Sequence, residues 1–96
     1  MLFSGSSDNT IKVWNLASKS CIFTMKGHTG WVFKLLLFSP EVLCSGSVDS
    51  TIRFWNIETG QLIHTLKGHQ GPVNDIIILK DNTFASVGDD KKIRIW

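Results

Sequence analysis

This 96-residue sequence contains no long apolar run. Its two longest runs are LLLF at 35–38 and IIIL at 76–79, whereas a membrane-spanning helix needs about 20 apolar residues. The N-terminal residues, MLFSGSSDNT, have neither the basic start nor the apolar core of a secretory signal peptide. The sequence therefore predicts no membrane segment and an intracellular location, cytoplasmic or nuclear.

Clustered charge and metal-binding motifs are also missing. No group of lysines and arginines marks a phosphate-binding patch, and a net charge of +2 is too mild to predict a nucleic-acid partner. The sequence has no Gly-rich phosphate loop, and its two cysteines, Cys21 and Cys44, lack the spacing of metal ligands. We therefore expect no cofactor and no metal ion.

The composition, in contrast, is that of a soluble globular domain. Hydrophobic residues make up 43% of the chain and charged residues 19%, which excludes a disordered or fibrous class. A chain of 96 residues has room for one small domain with a modest core.

A repeat of 41 residues organises the whole chain. Serine, aspartate and tryptophan recur at this spacing, and so does a Gly-His pair. The recurring residues are Ser4, Ser45 and Ser86; Asp8, Asp49 and Asp90; Trp14, Trp55 and Trp96; and Gly27-His28 and Gly68-His69. Agreement at so many positions indicates a true internal duplication.

Each repeat predicts four β-strands. Short runs rich in Val, Ile, Leu, Phe and Thr are separated by turn-forming residues, and no window sustains a helical period. The runs are WVFKLLLF at 31–38, VLCSGS at 42–47, TIRFWNI at 51–57 and QLIHTL at 61–66. The apolar runs LLLF and IIIL suggest strands covered on both faces. Cys21 and Cys44 align with Leu62 and Ala85, so we predict two small buried thiols.

A Gly-His pair, then Ser-Gly-Ser-x-Asp, then a tryptophan closing a β-run resembles the WD40 repeat family. The resemblance spans the chain, with two departures: Trp-Asn replaces Trp-Asp at 14–15 and 55–56, and the third repeat reads SVGDD at 86–90. The resemblance implies an all-β fold of the WD40 β-propeller type, which is built from four-stranded blades.

In this family the Gly-His pair precedes the innermost strand of a blade. The resemblance thus implies one complete blade at 31–67 and two incomplete ones. Residues 1–26 would supply the outer three strands of one blade and 72–96 the inner three of another. Such an arc cannot close a ring, so we expect a fragment of a longer propeller or a piece that completes a ring with other chains. Its bare faces would contact further blades.

Ser, His and Asp are also the components of a hydrolase triad, but the resemblance implies a structural network. In WD40 proteins these side chains and the tryptophan are linked by hydrogen bonds. The corresponding residues here are His28, Ser45, Asp49 and Trp55, followed by His69, Ser86, Asp90 and Trp96. Ser47 lies on the same strand face as Ser45, so either serine could take part.

Repetition argues against catalysis. A catalytic triad needs an exposed nucleophile, an oxyanion hole and a cleft, and an active site is normally built once. Here Ser4, Asp8 and Trp14 form a third partial copy that lacks a Gly-His pair. We therefore predict that the chain is not an enzyme.

A propeller without a catalytic site predicts a protein-interaction scaffold or adaptor. In the WD40 family the face with the Gly-His loops and Asp turns is the commonest docking surface. Its variable positions are the predicted partner contacts: Trp31, Phe33, Val48, Ser7, Asn74 and Asp89. Trp31 is the first candidate because its repeat equivalent is Pro72 and tryptophan is enriched at interfaces. Trp31 and Phe33 could instead pack against a neighbouring blade.

Binding of RNA or nucleoprotein is the alternative function. Lys12, Arg53 and Arg94 recur with the repeat, but a whole blade separates each from the next, which argues against a continuous basic stripe. Other proteins or peptides are therefore the expected partners.

Overall fold

The chain forms ten β-strands in a computed structural model that describes residues 1–80 and 83–96. The strands are β1 (Leu2–Gly5), β2 (Ile11–Asn15), β3 (Ser20–Met25), β4 (Val32–Ser39), β5 (Val42–Ser47), β6 (Thr51–Asn56), β7 (Leu62–Lys67), β8 (Val73–Ile78), β9 (Phe84–Gly88) and β10 (Ile93–Ile95). In these two ranges no helix is long and apolar enough to cross a membrane.

The strands form three antiparallel sheets. The first sheet has the order β1-β2-β3, the central sheet β4-β5-β6-β7 and the third sheet β8-β9-β10. The predicted fold class, a four-stranded blade between two three-stranded ones, is confirmed. The predicted unit at 72–96 includes residues 81 and 82, which lie outside the described ranges.

Each hairpin between the second and third strands of a blade turns at the repeated aspartate. Asp49 Oδ1 accepts the Thr51 backbone N–H at 2.9 Å, and Asp8 and Asp90 make the matching bond to residues 10 and 92. This side-chain bond fixes a tight turn, and the residue directly after each aspartate adopts a positive φ. The three residues are Asn9 (φ 73°), Ser50 (φ 74°) and Lys91 (φ 62°).

The apolar core lies in two layers between the sheets. The layer between the first and central sheets contains Ile11, Val13, Met25, Val32, Leu43, Trp55 and Ile57. The layer between the central and third sheets contains Cys44, Ile52, Val73, Ile76 and Phe84. Because side chains alternate along a strand, β5 directs Leu43 into one layer and Cys44 into the other.

Glycine at equivalent positions of β1 and β5 allows the sheets to approach. A Cβ on Gly5 would lie 2.9 Å from Val32 Cγ1, and one on Gly46 would lie 3.0 Å from Val73 Cγ1. The innermost strand of the next blade therefore packs directly on the backbone here. The third sheet has Val87 at this position.

Two predictions about burial are wrong. Cys21 is exposed. Neither apolar run is covered on both faces, since Leu37 of LLLF is 48% exposed, and Ile77 and Ile78 of IIIL are 57% and 37% exposed. Cys21 lies on β3, the outermost strand of its sheet, where its equivalent Leu62 is also 42% exposed. Ile77 lies on the third sheet, which packs against the central sheet on one side alone among the described residues. Ile78 and its equivalent Leu37 are exposed in both sheets, so this position lies outside the core in either case.

Candidate functional site

The central sheet holds a complete side-chain network. His28, in the loop before β4, places its Nε2 2.6 Å from Ser45 Oγ and its Nδ1 2.8 Å from Asp49 Oδ2. Trp55 donates its indole N–H to the same Ser45 Oγ at 2.8 Å. His28, Ser45 and Trp55 are buried, and the Asp49 side chain is 5% exposed.

The hydrogen bonds of this network run in a single order, from the Trp55 indole through Ser45 and His28 to the Asp49 carboxylate. A carboxylate can only accept, so His28 Nδ1–H donates to Asp49. The Nε2 of the neutral ring then accepts from the Ser45 hydroxyl, whose oxygen accepts from Trp55. Every buried polar group in the network therefore has a partner, which offsets the cost of removing it from water.

Burial sets the charge states. It lowers the pKa of His28 below the ordinary 6.5, although the Asp49 carboxylate acts in the opposite direction. Burial would raise the pKa of Asp49, but hydrogen bonds from Thr51, His28 and Thr29 outweigh it and lower the pKa to about 2. At neutral pH the pair is an ionised carboxylate beside a neutral imidazole.

The two candidate serines have different partners. Ser45 Oγ bonds to His28 and Trp55, whereas Ser47 Oγ donates to the Gly30 carbonyl at 3.0 Å and accepts the Asp49 N–H at 3.1 Å. Ser45 is 0% exposed, with its oxygen held by the indole N–H. This geometry leaves no access for a substrate carbonyl to the hydroxyl.

The third sheet repeats the network. His69 Nε2 lies 2.7 Å from Ser86 Oγ and Nδ1 lies 3.0 Å from Asp90 Oδ2, while Trp96 donates to Ser86 Oγ at 2.9 Å. Burial opposes ionisation of Asp90, but bonds from the Gln70 N–H and from His69 lower its pKa.

One hydroxyl distinguishes the two complete networks. Thr51 Oγ1 donates to Asp49 Oδ1 at 2.6 Å in the central sheet. Lys92 occupies the equivalent position in the third sheet and gives Asp90 only its backbone N–H, at 3.1 Å.

The first sheet has the network without a histidine. Trp14 donates to Ser4 Oγ at 3.0 Å. Asp8 is exposed, and its Oδ1 accepts the Thr10 hydroxyl at 2.6 Å and the Thr10 N–H at 3.0 Å. These bonds, the hydroxyl bond foremost, lower the pKa of Asp8.

The glycine of each Gly-His pair makes room for the tryptophan. A Cβ on Gly27 would lie 3.1 Å from Trp55 Cη2, and one on Gly68 would lie 2.9 Å from Trp96 Cη2. The indole thus packs against the loop backbone that carries the histidine, which explains why both residues of the pair recur.

The buried network holds the loop above it in place. Asp49 Oδ2 accepts the Thr29 N–H at 3.0 Å, Ser47 holds the Gly30 carbonyl, and the Val48 N–H donates to the Trp31 carbonyl at 2.9 Å. Three successive residues of the loop, 29–31, are therefore bonded to the β5–β6 turn. The loop that presents Trp31 is rigidly placed.

A groove of about 610 Å³ opens on this face, and we call it the Trp31 groove. It is lined by Ser7, Asn9, Thr29, Gly30, Trp31, Phe33, Val48, Pro72 and Asp89. Trp31 is 55% exposed and Phe33 49%, and their rings meet edge to face with centroids 6.3 Å apart.

Two β-bulges direct side chains at this face. The pairing register shifts between Val32 and Lys34 in the central sheet and between Val73 and Asp75 in the third sheet. The extra residues are Phe33 and Asn74, both exposed. A bulge turns a side chain away from the regular pleat, so Phe33 points out of the core.

Five of the six predicted partner contacts line the Trp31 groove together. Asn74 is not in the lining, but its Nδ2 donates to Asp89 Oδ1 at the groove wall. Asn9 and Thr29 were missed by the sequence reasoning. Their positions in the sequence could have identified them, because Asn9 follows the Asp8 of the turn and Thr29 follows the Gly-His pair.

No metal site is formed by the described residues. In 1–80 and 83–96, no three His, Cys, Asp or Glu side chains come close enough to hold an ion. Burial raises the pKa of the Cys44 thiol to about 12, which keeps it protonated.

Three stacked antiparallel sheets with repeated His-Ser-Asp-Trp networks define a repeat protein of the β-propeller type. The chain belongs to the WD40 family: the family model described as "WD domain, G-beta repeat" matches residues 1–15, 19–56 and 60–96. WD40 repeats generally serve as protein-interaction scaffolds.

Curated relatives share single repeats with this chain. Human WD repeat-containing protein 86 is 50% identical over 40 residues, which are 42% of this chain and 11% of that protein. The Caenorhabditis briggsae Lissencephaly-1 homolog is 46% identical over 41 residues, 43% of this chain and 10% of that protein. The matched segments thus span about a tenth of the length of these relatives.

The fold also matches a solved structure. The crystal structure of the computationally designed Ika4 protein superposes with a TM-score of 0.85 at 34% sequence identity. The match covers 98% of this chain and 57% of the designed one.

Proposed function

We propose that this chain is a non-catalytic scaffold that docks partner proteins or peptides in the Trp31 groove. The observation that carries the proposal is the half-exposed pair of Trp31 and Phe33 on a loop held by buried hydrogen bonds. Large aromatic side chains dominate binding energy at interfaces, and a rigid loop loses little entropy when it binds.

The charge of the Trp31 groove indicates what kind of partner it can bind. Asp89 is the one charged residue among those lining the groove, and Asn74 bonds to its Oδ1. An arginine or lysine of the partner can pair with this carboxylate and stack on the Trp31 ring. We therefore propose partner segments that present a basic side chain.

Peptide selection tests the proposal. Random displayed peptides are selected on the chain, and each binder is measured against Trp31→Ala. We expect binding to weaken by about tenfold or more, because truncating a central tryptophan removes a hot spot. Ile63→Ala is the matched control, since Ile63 is 53% exposed on β7. Equal binding to Trp31→Ala and the parent would refute the groove.

The end sheets suggest a second kind of contact. Ile93 is 72% exposed and Ile95 66% on the third sheet, and Leu2 is 51% exposed on the first. We propose that further blades, from the same polypeptide or from another chain, contact these sheets.

We also propose an intracellular location, because Cys21 and Cys44 are both free thiols and disulfides are rare inside cells.

The RNA-binding alternative gains no support. Lys12, Arg53 and Arg94 lie on three different sheets, and Arg53 Nε donates to Thr51 Oγ1 within its own blade. None of the three lines the Trp31 groove.

A further inference from the structure

Within the Trp31 groove, the central and third blades place different chemistry at equivalent positions. The central blade contributes three apolar side chains, whereas the third blade contributes a carboxylate, an amide and a proline. The equivalent pairs are Trp31 and Pro72, Phe33 and Asn74, and Val48 and Asp89. We call the first members of these pairs the apolar subsite and the second members the acidic subsite.

Both subsites are built on the same backbone framework. The Val48 N–H donates to the Trp31 carbonyl at 2.9 Å, and the Asp89 N–H donates to the Pro72 carbonyl at the same distance. Each blade also has its β-bulge at the equivalent place. The subsites therefore differ chiefly in their side chains, and equivalent positions lie one sheet spacing apart, about 10 Å.

The acidic subsite presents an oriented carboxylate to a partner. Asn74 Nδ2 donates to Asp89 Oδ1, which fixes the group, and no N–H or O–H of residues 1–80 and 83–96 donates to Oδ2. Lys34, on the innermost strand of the central blade, is paired with Asp75 at 3.2 Å. Asp89 is exposed, so its second oxygen is open to a positive group of a partner.

We propose that the groove binds an extended segment in which a large apolar residue and a lysine or arginine lie three positions apart. The inference rests on the proposed function and specifies the sequence pattern that the partner carries. The apolar side chain packs on Phe33 and Val48. The basic side chain pairs with Asp89 Oδ2, and its stem contacts Trp31.

The distance between the subsites determines the spacing. In the polyproline II conformation, residues three positions apart lie on the same side of the chain and about 9 Å apart, close to the sheet spacing. Residues on one face of a β-strand lie about 7 or 13 Å apart, which fits less well. Helical residues seven positions apart are separated by about 10.5 Å, but eight helical residues fill about 1,000 Å³ or more. The groove has about 610 Å³, which favours the extended segment.

Peptide selection on the full chain tests the spacing. Random displayed peptides are selected in parallel on the chain, on Asp89→Asn and on the control Glu58→Gln. Glu58 is exposed in the turn after β6 and does not line the groove. On the chain and the control, we expect the apolar and basic residues, in either order, to be enriched at a spacing of three over every other spacing. On Asp89→Asn, which removes the charge and keeps the acceptor for Asn74, only the apolar residue should remain enriched.

Binding measurements then assign each side chain to its subsite. Fluorescence anisotropy gives the affinity of one selected peptide and of two versions, with glutamine at the basic residue or alanine at the apolar one. Glutamine in the peptide or Asp89→Asn in the chain should weaken binding by about threefold to tenfold, and both together little more. Val48→Ala should couple in the same way to the apolar residue. Losses from different subsites should add, because groups more than about 7–10 Å apart act independently.

The outcomes separate this inference from the proposed function. Binders that weaken on Trp31→Ala but show no preference for a spacing of three, or no coupling to Asp89, overturn the inference and leave the groove as a docking site. A preferred spacing of four would indicate a β-strand and one of seven a helix, and either would also overturn it. If no binder weakens on Trp31→Ala, the proposed function fails and this inference fails with it. The peptide variants keep the test valid if a chain variant unfolds, because the chain is then unaltered.

Discussion

The central and first sheets carry the same serine, aspartate and tryptophan at equivalent positions, yet in different surroundings. Ser45 and Trp55 are enclosed, whereas Ser4 and Trp14 are only partly buried. The difference arises because the first sheet covers the central one, while its own outer side is open. Identical residues therefore contribute different stability, and six substitutions test this contrast and the related ones between equivalent positions.

The largest effect is expected for Ser45→Ala. It leaves the His28 Nε2 and the Trp55 N–H buried without a partner, which should lower the free energy of unfolding by about 2–4 kcal/mol. Ser4→Ala affects only the partly exposed Trp14 and should cost about 0.5–1 kcal/mol. Urea unfolding followed by tryptophan fluorescence measures both, and equal losses would contradict the role of burial.

Acid should destabilise the chain in two steps. His28 has a folded-state pKa below 6.5, so the unfolded chain takes up this proton first and stability falls as the pH drops below 6.5. Asp49 stabilises the fold above 3.8, and this contribution is lost as the pH falls towards about 2. Unfolding midpoints measured across this range test the order of the steps.

The variant Asp49→Asn sharpens the acid experiment. The asparagine side chain cannot ionise, so the second step should shrink. The His28 step should grow, because the carboxylate that opposes the lowering of the His28 pKa by burial is gone. A second step of unchanged size would assign it to other carboxylates of the chain.

The Thr51 hydroxyl should account for a difference in stability between the two complete networks. Lys92→Thr gives Asp90 the donor that Thr51 gives Asp49 at 2.6 Å, and should add about 0.5–1.5 kcal/mol. Thr51→Lys should remove at least a similar amount. Chemical denaturation of both variants measures the pair, and a loss in Lys92→Thr would show that the third network does not follow the central one.

The smallest effect concerns a turn on the opposite face. Lys19 has a φ of 58°, and its repeat equivalent Gly60 has a φ of 73°. A lysine strains this left-handed backbone and a glycine does not, so Lys19→Gly should stabilise the chain by about 0.5 kcal/mol. Thermal unfolding should show a small increase in midpoint, whereas an unchanged or lower one would refute the strain.

Much of the fold was accessible from the sequence because the repeat reports it several times. The 41-residue spacing and the turn-forming residues predicted four strands in each repeat, and the resemblance to the WD40 family implied three sheets, with four strands in the central one. The same resemblance implied which side chains share a network. The choice between Ser45 and Ser47 needed coordinates, because both point to the same strand face and differ only in which partner each can reach.

Burial at the ends of the array was not accessible in this way. Ile77 looks like a core residue because a repeat pattern assumes that every sheet has neighbours on both sides. Cys21 was misjudged for another reason, since it lies on an outermost strand, where even Leu62 of the central sheet is exposed. Likewise, the Trp31 groove depends on the bulge at Phe33 and on the distance between two sheets, and neither is encoded by one residue type. Asn9 and Thr29, in contrast, could have been included from their positions after the turn aspartate and the Gly-His pair.

Val87 limits how closely a further sheet could pack on the third sheet. The equivalent residues of the first and central sheets are Gly5 and Gly46, which have no side chain. The valine of the next innermost strand packs against them, so close that a Cβ on either glycine would collide with it. A blade arriving on the third sheet in the same register would collide with the Val87 side chain, so it must shift or carry a smaller residue there. A further blade therefore cannot pack on the third sheet at the spacing that Gly5 and Gly46 allow between the existing sheets.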